Sequence, residues 1–181
     1  MTSMRMYRVL SRLLDYPDAE LRESLPLINA IVEEEGGLLE AERLALRALT
    51  AWMCERDLIS LQECYVQTFD NVPEHSLHLT HHLFGDDRGR GPALVDLSEF
   101  FKSEGLEPLA GELPDFLPLI LEYVSTLDEF GAQIFLGDVA DVLAGLAESL
   151  GQAGSPYAPI VRIVERCGRL AGAPTCVANS S

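Results

Sequence analysis

Met6-Tyr7-Arg8-Val9-Leu10-Ser11-Arg12-Leu13-Leu14 sets Met6, Val9, Leu10, Leu13 and Leu14 at i, i+3, i+4, i+7 and i+8. That is the spacing of one face of an α-helix. The same period governs nearly the whole chain. Pro17 stops this helix, and its fixed φ suits the first turn of the next. Leu21, Leu25, Ile28 and Val32 form a second stripe, ended by Gly36-Gly37. Leu46, Leu49, Trp52 and Met53 predict a third helix. Leu58, Leu61, Tyr65 and Phe69 predict a fourth, nearly continuous with the third and broken by Asn71-Val72-Pro73.

Beyond that break, Ser76 is expected to cap a short helix carrying Leu79, Leu83 and Phe84. A polar segment, Gly85 to Pro92, reads as a loop, and its glycines and arginines make residues 85–91 the candidate hinge. Leu94, Leu97 and Phe101 mark the next stripe. Pro114 to Leu127 is apolar on most sides, as suits a helix at the centre of a bundle. Phe135, Val139, Val142, Leu143, Leu146 and Leu150 predict one amphipathic helix. Ser155-Pro156 reads as a cap with a first-turn proline, leading into Tyr157, Ile160, Val161, Val164 and Cys167. No strand-length segment alternates with period two and no hairpin turn signal appears. The expected fold is all-α, a single-domain bundle of about eight or nine helices. It covers residues 1–172, with a loose tail at 173–181.

The 181 residues carry 29 acidic and 13 basic side chains, a net charge of −16. Such a surface repels phosphate backbones and anionic lipid, which argues against nucleic-acid binding and membrane docking, and it favours a basic partner. The N-terminus has no apolar run that would make a signal peptide. The longest apolar stretch, of the Phe116 to Leu121 kind, is far short of the ~20 residues of a spanning helix. A cytoplasmic protein with reduced thiols is expected. Its four cysteines, Cys54, Cys64, Cys167 and Cys176, show no metal-binding spacing.

Candidate chemistry is sparse. His75, His78, His81 and His82 fall within eight residues. At helical spacing they leave open a metal-binding enzyme or sensor, with Glu74 or Asp86 adding a carboxylate. The glycine-rich loop holding Arg88 and Arg90 lacks both phosphate-binding glycine patterns and a preceding strand. Asp115, after Pro114, fits the first turn of the central helix, where a carboxylate meets the helix dipole while facing outward. Glu112 and Glu122 lie on either side of it in sequence. No nucleophile motif appears, so no catalytic residue is expected.

Three segments together resemble one family. They are Leu61-Gln62-Glu63-Cys64-Tyr65-Val66-Gln67-Thr68-Phe69-Asp70, the stretch HHLFGDDRGRGPALVDL from His81 to Leu97, and ELPDFLPLILEY from Glu112 to Tyr123. In this order they are similar to the delta subunit of respiratory nitrate reductase, the NarJ-type molybdenum-cofactor assembly chaperones. The wider group is the TorD/DmsD redox-enzyme maturation chaperones. That wider group often has a His where this chain has Phe116, so a role of that His does not carry over. The resemblance implies an all-helical, TorD-like, non-enzymatic chaperone with no cofactor of its own. It implies binding to the apo catalytic (alpha) subunit of nitrate reductase through its N-terminal segment. It also implies help with insertion of bis-molybdopterin guanine dinucleotide.

An apolar groove with a negative surface suits such a segment. Tyr65, Phe69 and Tyr123 are the candidate apolar anchors. Glu112, Asp115 and Glu122 are candidates to pair with its Lys or Arg, and Arg88 and Arg90 to line the groove mouth beside Asp115. A monomer or weak homodimer is expected. A helical adaptor for another client stays open.

Overall fold

The computed structural model describes residues 2–107 and 111–170. Among these it contains α1 (Met4–Leu14), α2 (Ala19–Glu34), α3 (Glu40–Cys54), α4 (Leu58–Tyr65), α5 (Leu79–Phe84), α6 (Arg90–Ser103), α7 (Leu117–Val124), α8 (Glu129–Asp138), α9 (Ala140–Gln152) and α10 (Ala158–Arg169). A π-helical turn at Val66–Asp70 extends α4, and a 3₁₀ turn at Pro73–His75 precedes α5. No strand occurs among the described residues, only one backbone bridge between His78 and Phe116. The fold is all-α, with ten helices where the stripes suggest eight or nine. The expected tail, including Cys176, lies outside the described residues.

The stripes become the core. Met6, Val9, Leu10, Leu13 and Leu14 of α1 are buried, as are Leu21, Leu25, Ile28 and Val32 of α2. α10 packs against α8 and α9, and α1 lies along α7. Side-chain caps fix where helices start. Ser3 accepts from Met6 N (3.2 Å), Asp18 from Leu21 N (2.8 Å), Asp57 from Ser60 N (2.8 Å) and Asp128 from Gly131 N (2.7 Å). Each satisfies a first-turn N–H that has no partner within the helix.

Several boundaries differ from the sequence expectation. Pro17 does not open α2, because Asp18 takes the cap and the helix begins at Ala19. Instead Pro26 sits inside α2 on its exposed side. α3 and α4 are separated at Glu55–Asp57, because Asp57 caps a new start. Ser76 is not the cap of α5. Its Oγ accepts from His78 N (3.2 Å), and His78 is the first flanking residue. The helix starting beyond Ser155-Pro156 begins at Ala158, with Pro159 in its first turn.

The stripe from Phe135 to Leu150 is two helices, α8 and α9, bent by 69° at Val139. Gly168 of α10 crosses there. A methyl group on it would stand 2.5 Å from the Leu136 carbonyl, so only glycine permits this approach. No single helix among the described residues is long and apolar enough to cross a membrane.

Candidate functional site

α1, the C-terminal end of α6 and α7 enclose a cleft of about 420 Å³. Ser11 Oγ donates to the Pro118 carbonyl (2.7 Å) and Arg8 Nε to Ser125 Oγ (3.3 Å), which fixes α1 against both ends of α7. The floor is apolar: Phe101, Leu106, Leu119 and Tyr123. The Tyr123 ring packs on those of Phe101 (5.2 Å) and Phe135 (5.3 Å). The rim is charged, with Arg8, Arg12, Asp15, Glu107 and Glu122.

Charge is unevenly balanced at this rim. Arg12 pairs with Asp15 at 3.9 Å and also with Asp18. Among the described residues no cation lies within ion-pair distance of Glu122, Glu112 or Glu107. Desolvation raises the Glu122 carboxyl above the ordinary range, the like charges of Asp15 and Glu112 add to it, and Arg8 and Arg12 oppose the rise without cancelling it. Desolvation and then Asp15 raise Glu112 as well. Crowded carboxylates above an apolar floor favour a ligand with a cationic group beside an apolar one.

The sequence-predicted residues divide sharply. Glu122 and Tyr123 line this cleft; Glu112 is outside its lining, where its charge still acts on Glu122 and Asp15 acts on it. Tyr65 and Phe69 are core residues, 4% and 5% exposed. Their rings lie 4.8 Å apart, and Tyr65 Oη donates to the Leu14 carbonyl (2.9 Å). They brace α4 against α1 and present nothing to a surface groove. Arg88 is exposed in the turn before α6, away from the cleft lining.

Asp115 requires the largest correction. It does not face outward and does not cap the central helix, because its side chain is 0% exposed and α7 starts two residues later. Its Oδ2 accepts from Thr80 N (3.1 Å) and from the Thr80 hydroxyl, and its Oδ1 lies 3.1 Å from His78 Nδ1. It therefore caps α5 from across the fold. Burial alone would raise its carboxyl, but the hydrogen bonds from His78 and Thr80 outweigh that and hold it below the usual carboxylate range. Backbone bonds from Leu79 N to the Asp115 carbonyl (3.0 Å) and from Leu117 N to the Leu77 carbonyl (2.9 Å) zip the same two segments together.

Arg90 does not swing in a glycine loop. It is the first residue of α6, and its Nε donates to Thr80 Oγ1 (3.1 Å) while its NH2 stands 3.9 Å from Asp115. The intervening segment is a tight turn at Gly85–Gly89, with Gly85 at φ +54°. Arg90 and Asp115 thus join the starts of α5, α6 and α7 and do not line the cleft mouth.

The histidines do not share a helix face. His75 is buried and its Nδ1 donates to the Thr68 carbonyl (3.0 Å). His78 turns to Asp115, and His82 Nε2 donates to the Ser76 carbonyl (2.7 Å). Among the described residues no three potential ligand side chains converge on one point. The spacing that suggested a metal assumed one continuous helix, and the chain at His75–His78 is not helical in that sense. Cys54, Cys64 and Cys167 are free thiols.

The cleft's α1 wall escaped the sequence reading. Arg8, Arg12 and Asp15 form one polar row beside the apolar stripe, at i, i+4 and i+7. That row was the available signal, but it looks like any solvated helix edge until α7 is laid against it.

Comparison with known proteins places the chain. The family model of the nitrate reductase delta subunit matches residues 35–161. The nitrate reductase molybdenum cofactor assembly chaperone NarJ of Escherichia coli K12 is 36% identical over 150 residues, 83% of this chain and 64% of that protein. The chain thus spans 64% of the length of that relative. The Bacillus subtilis protein named "Probable nitrate reductase molybdenum cofactor assembly chaperone NarJ" is 31% identical over 158 residues, covering 87% and 85%. The Archaeoglobus fulgidus crystal structure titled "Putative Redox Enzyme Maturation Protein" superposes with a TM-score of 0.64 at 22% identity, covering 90% of this chain and 91% of that one. That likeness concerns the fold.

Proposed function

Because the chain belongs to the nitrate reductase delta subunit family, we propose that it is an assembly chaperone for nitrate reductase. It binds the apo catalytic subunit in the cytoplasm and assists insertion of bis-molybdopterin guanine dinucleotide, without holding a cofactor or catalysing a reaction. The observation that carries this reading is the match to chaperone-named relatives over 83% and 87% of the chain. The cleft between α1, α6 and α7 supports it with a place to bind. An apolar side chain of the client's N-terminal segment enters over Leu119 and Tyr123, and a neighbouring Lys or Arg meets Glu122 and Glu112. Binding of this kind leaves the fold intact and needs neither Asp115 nor Arg90 at the surface. The chain acts as a monomer or weak homodimer.

The test is capture and complementation. The full chain should co-purify with the apo catalytic subunit, and less so when that subunit lacks its N-terminal segment. It should also restore nitrate reductase activity in cells deprived of their own delta subunit. Undiminished capture of the truncated subunit would move the contact away from that segment. Failure to restore activity despite capture would make the protein an adaptor without an assembly role.

A further inference from the structure

A second surface begins at Phe100 and Phe135, whose rings pack on Tyr123 (5.5 and 5.3 Å) but do not line the cleft. Phe101 lines the cleft, whereas the adjacent Phe100 turns toward α8, where its ring stacks on Phe135 at 6.3 Å. From Phe135 the outer side of α8 continues to Ile134 and Phe130, which are 47% and 72% exposed. Phe130 and Ile134 stand one turn apart and form a single row. Nothing among the described residues covers it.

Each apolar row is continued by carboxylates. Asp96 and Glu104 stand one turn before and after Phe100, and Asp138 one turn after Ile134. All three are exposed, and among the described residues none is in an ion pair. A second copy of this chain would bring the same carboxylates against these, on a molecule already at −16. A cationic helix would neutralise them while burying the aromatic rows.

We propose that the α6–α8 face docks a cationic amphipathic helix of a partner protein, separately from the cleft. Its aliphatic side lies over Phe130, Ile134 and Phe100, and its Lys or Arg residues meet Asp96, Glu104 and Asp138. The proposal does not depend on the identity of the client.

The probe is a synthetic 18-residue Leu/Lys amphipathic helix, titrated into the full-length protein by fluorescence anisotropy. A scrambled peptide of the same composition serves as control. The amphipathic order should bind at least tenfold more tightly than the scrambled one. The double variant Phe130→Ser with Ile134→Ser removes exposed side chains without altering charge. It should remove most of that preference while keeping the wild-type circular dichroism and melting temperature, and it should do the same in the Glu122→Gln background, where the cleft carboxylate is already neutral. Equal binding of both peptides, or a preference that the double variant leaves undiminished, would overturn the proposal. So would a double variant that has no effect on the preference in the Glu122→Gln background. Sedimentation that finds a dimer dissolved by the double variant would assign the face to self-association and overturn it as well.

Discussion

α10 and α6 are helices of similar length with opposite fates. α10 has 12 residues and buries Ala158, Ile160, Val161, Ile163, Val164, Cys167 and Gly168. α6 has 14 residues and buries Phe101 alone, leaving Val95 and Phe100 exposed. α10 is crossed by α8, α9, α3 and α1, while α6 leans mainly on α5. Charge follows the same divide. Residues 86–138 hold twelve carboxylates against three cations, whereas α10 carries three arginines and one glutamate. Stability is concentrated where helices cross on several sides. Apolar surface and negative charge are left exposed where they do not, and both proposed docking surfaces draw on that half of the molecule.

The largest expected effect breaks the comparison if it fails. Ile160→Ala, at a fully buried α10 position, should cost about 2–5 kcal/mol in urea denaturation, since the cavity adds to the lost transfer energy. Phe100→Ala on α6 should cost clearly less, because its ring already meets solvent. Equal losses would mean that α6 is as much a part of the core as α10.

Asp115→Asn sharpens the comparison at the seam between the two regions. The variant keeps the shape but turns an amide toward donors that need an acceptor, so it should lose about 1–3 kcal/mol. Because the folded carboxyl titrates below its ordinary value, Asp115 contributes its full stability above the usual carboxylate range. That contribution is lost as pH falls through this range toward the lower folded value. The wild type should therefore show an acid-side slope in denaturation midpoint that the variant lacks. A variant as stable as wild type with the same slope would remove Asp115 from the seam.

Val95→Ser marks the small end. Its side chain is 58% exposed on α6, and the change should stay within about 0.5 kcal/mol. A loss above about 1 kcal/mol would show that the outer side of α6 is covered in the folded protein.

How much of this was legible in the sequence depended on distance along the chain. The α1, α2 and α10 stripes follow a local period, and Met6 through Leu14 predicted their own burial. The α8–α9 break was invisible, because it depends on Gly168 meeting the Leu136 carbonyl from another helix. Asp115 was picked out correctly as a capping carboxylate but assigned to the wrong helix, since Thr80 stands 35 residues away. Glu122, named from its sequence block, lines the cleft. Arg8, Arg12 and Asp15 were missed, because a polar row on α1 becomes a cleft wall only when α7 packs beside it. Tyr65 and Phe69 show the converse: aromatic residues in a family-specific block, used for packing.

The central claim is that the α1–α6–α7 cleft receives the client's N-terminal segment through Glu122 and its apolar floor. The direct measurement is titration calorimetry of the full chain with a synthetic peptide of that segment. It is made at low and high salt and at pH values spanning the carboxylate range. Glu122 titrates above its ordinary value when free, and a cation favours its charged form, so affinity should rise as pH rises through that raised value. It should fall with salt, because rim charges are screened within ~8 Å at physiological ionic strength. Glu122→Gln should weaken binding by about threefold to tenfold and flatten the pH dependence. Wild-type affinity in Glu122→Gln, with the same dependence on pH and salt, would contradict the account and place the client elsewhere on the protein.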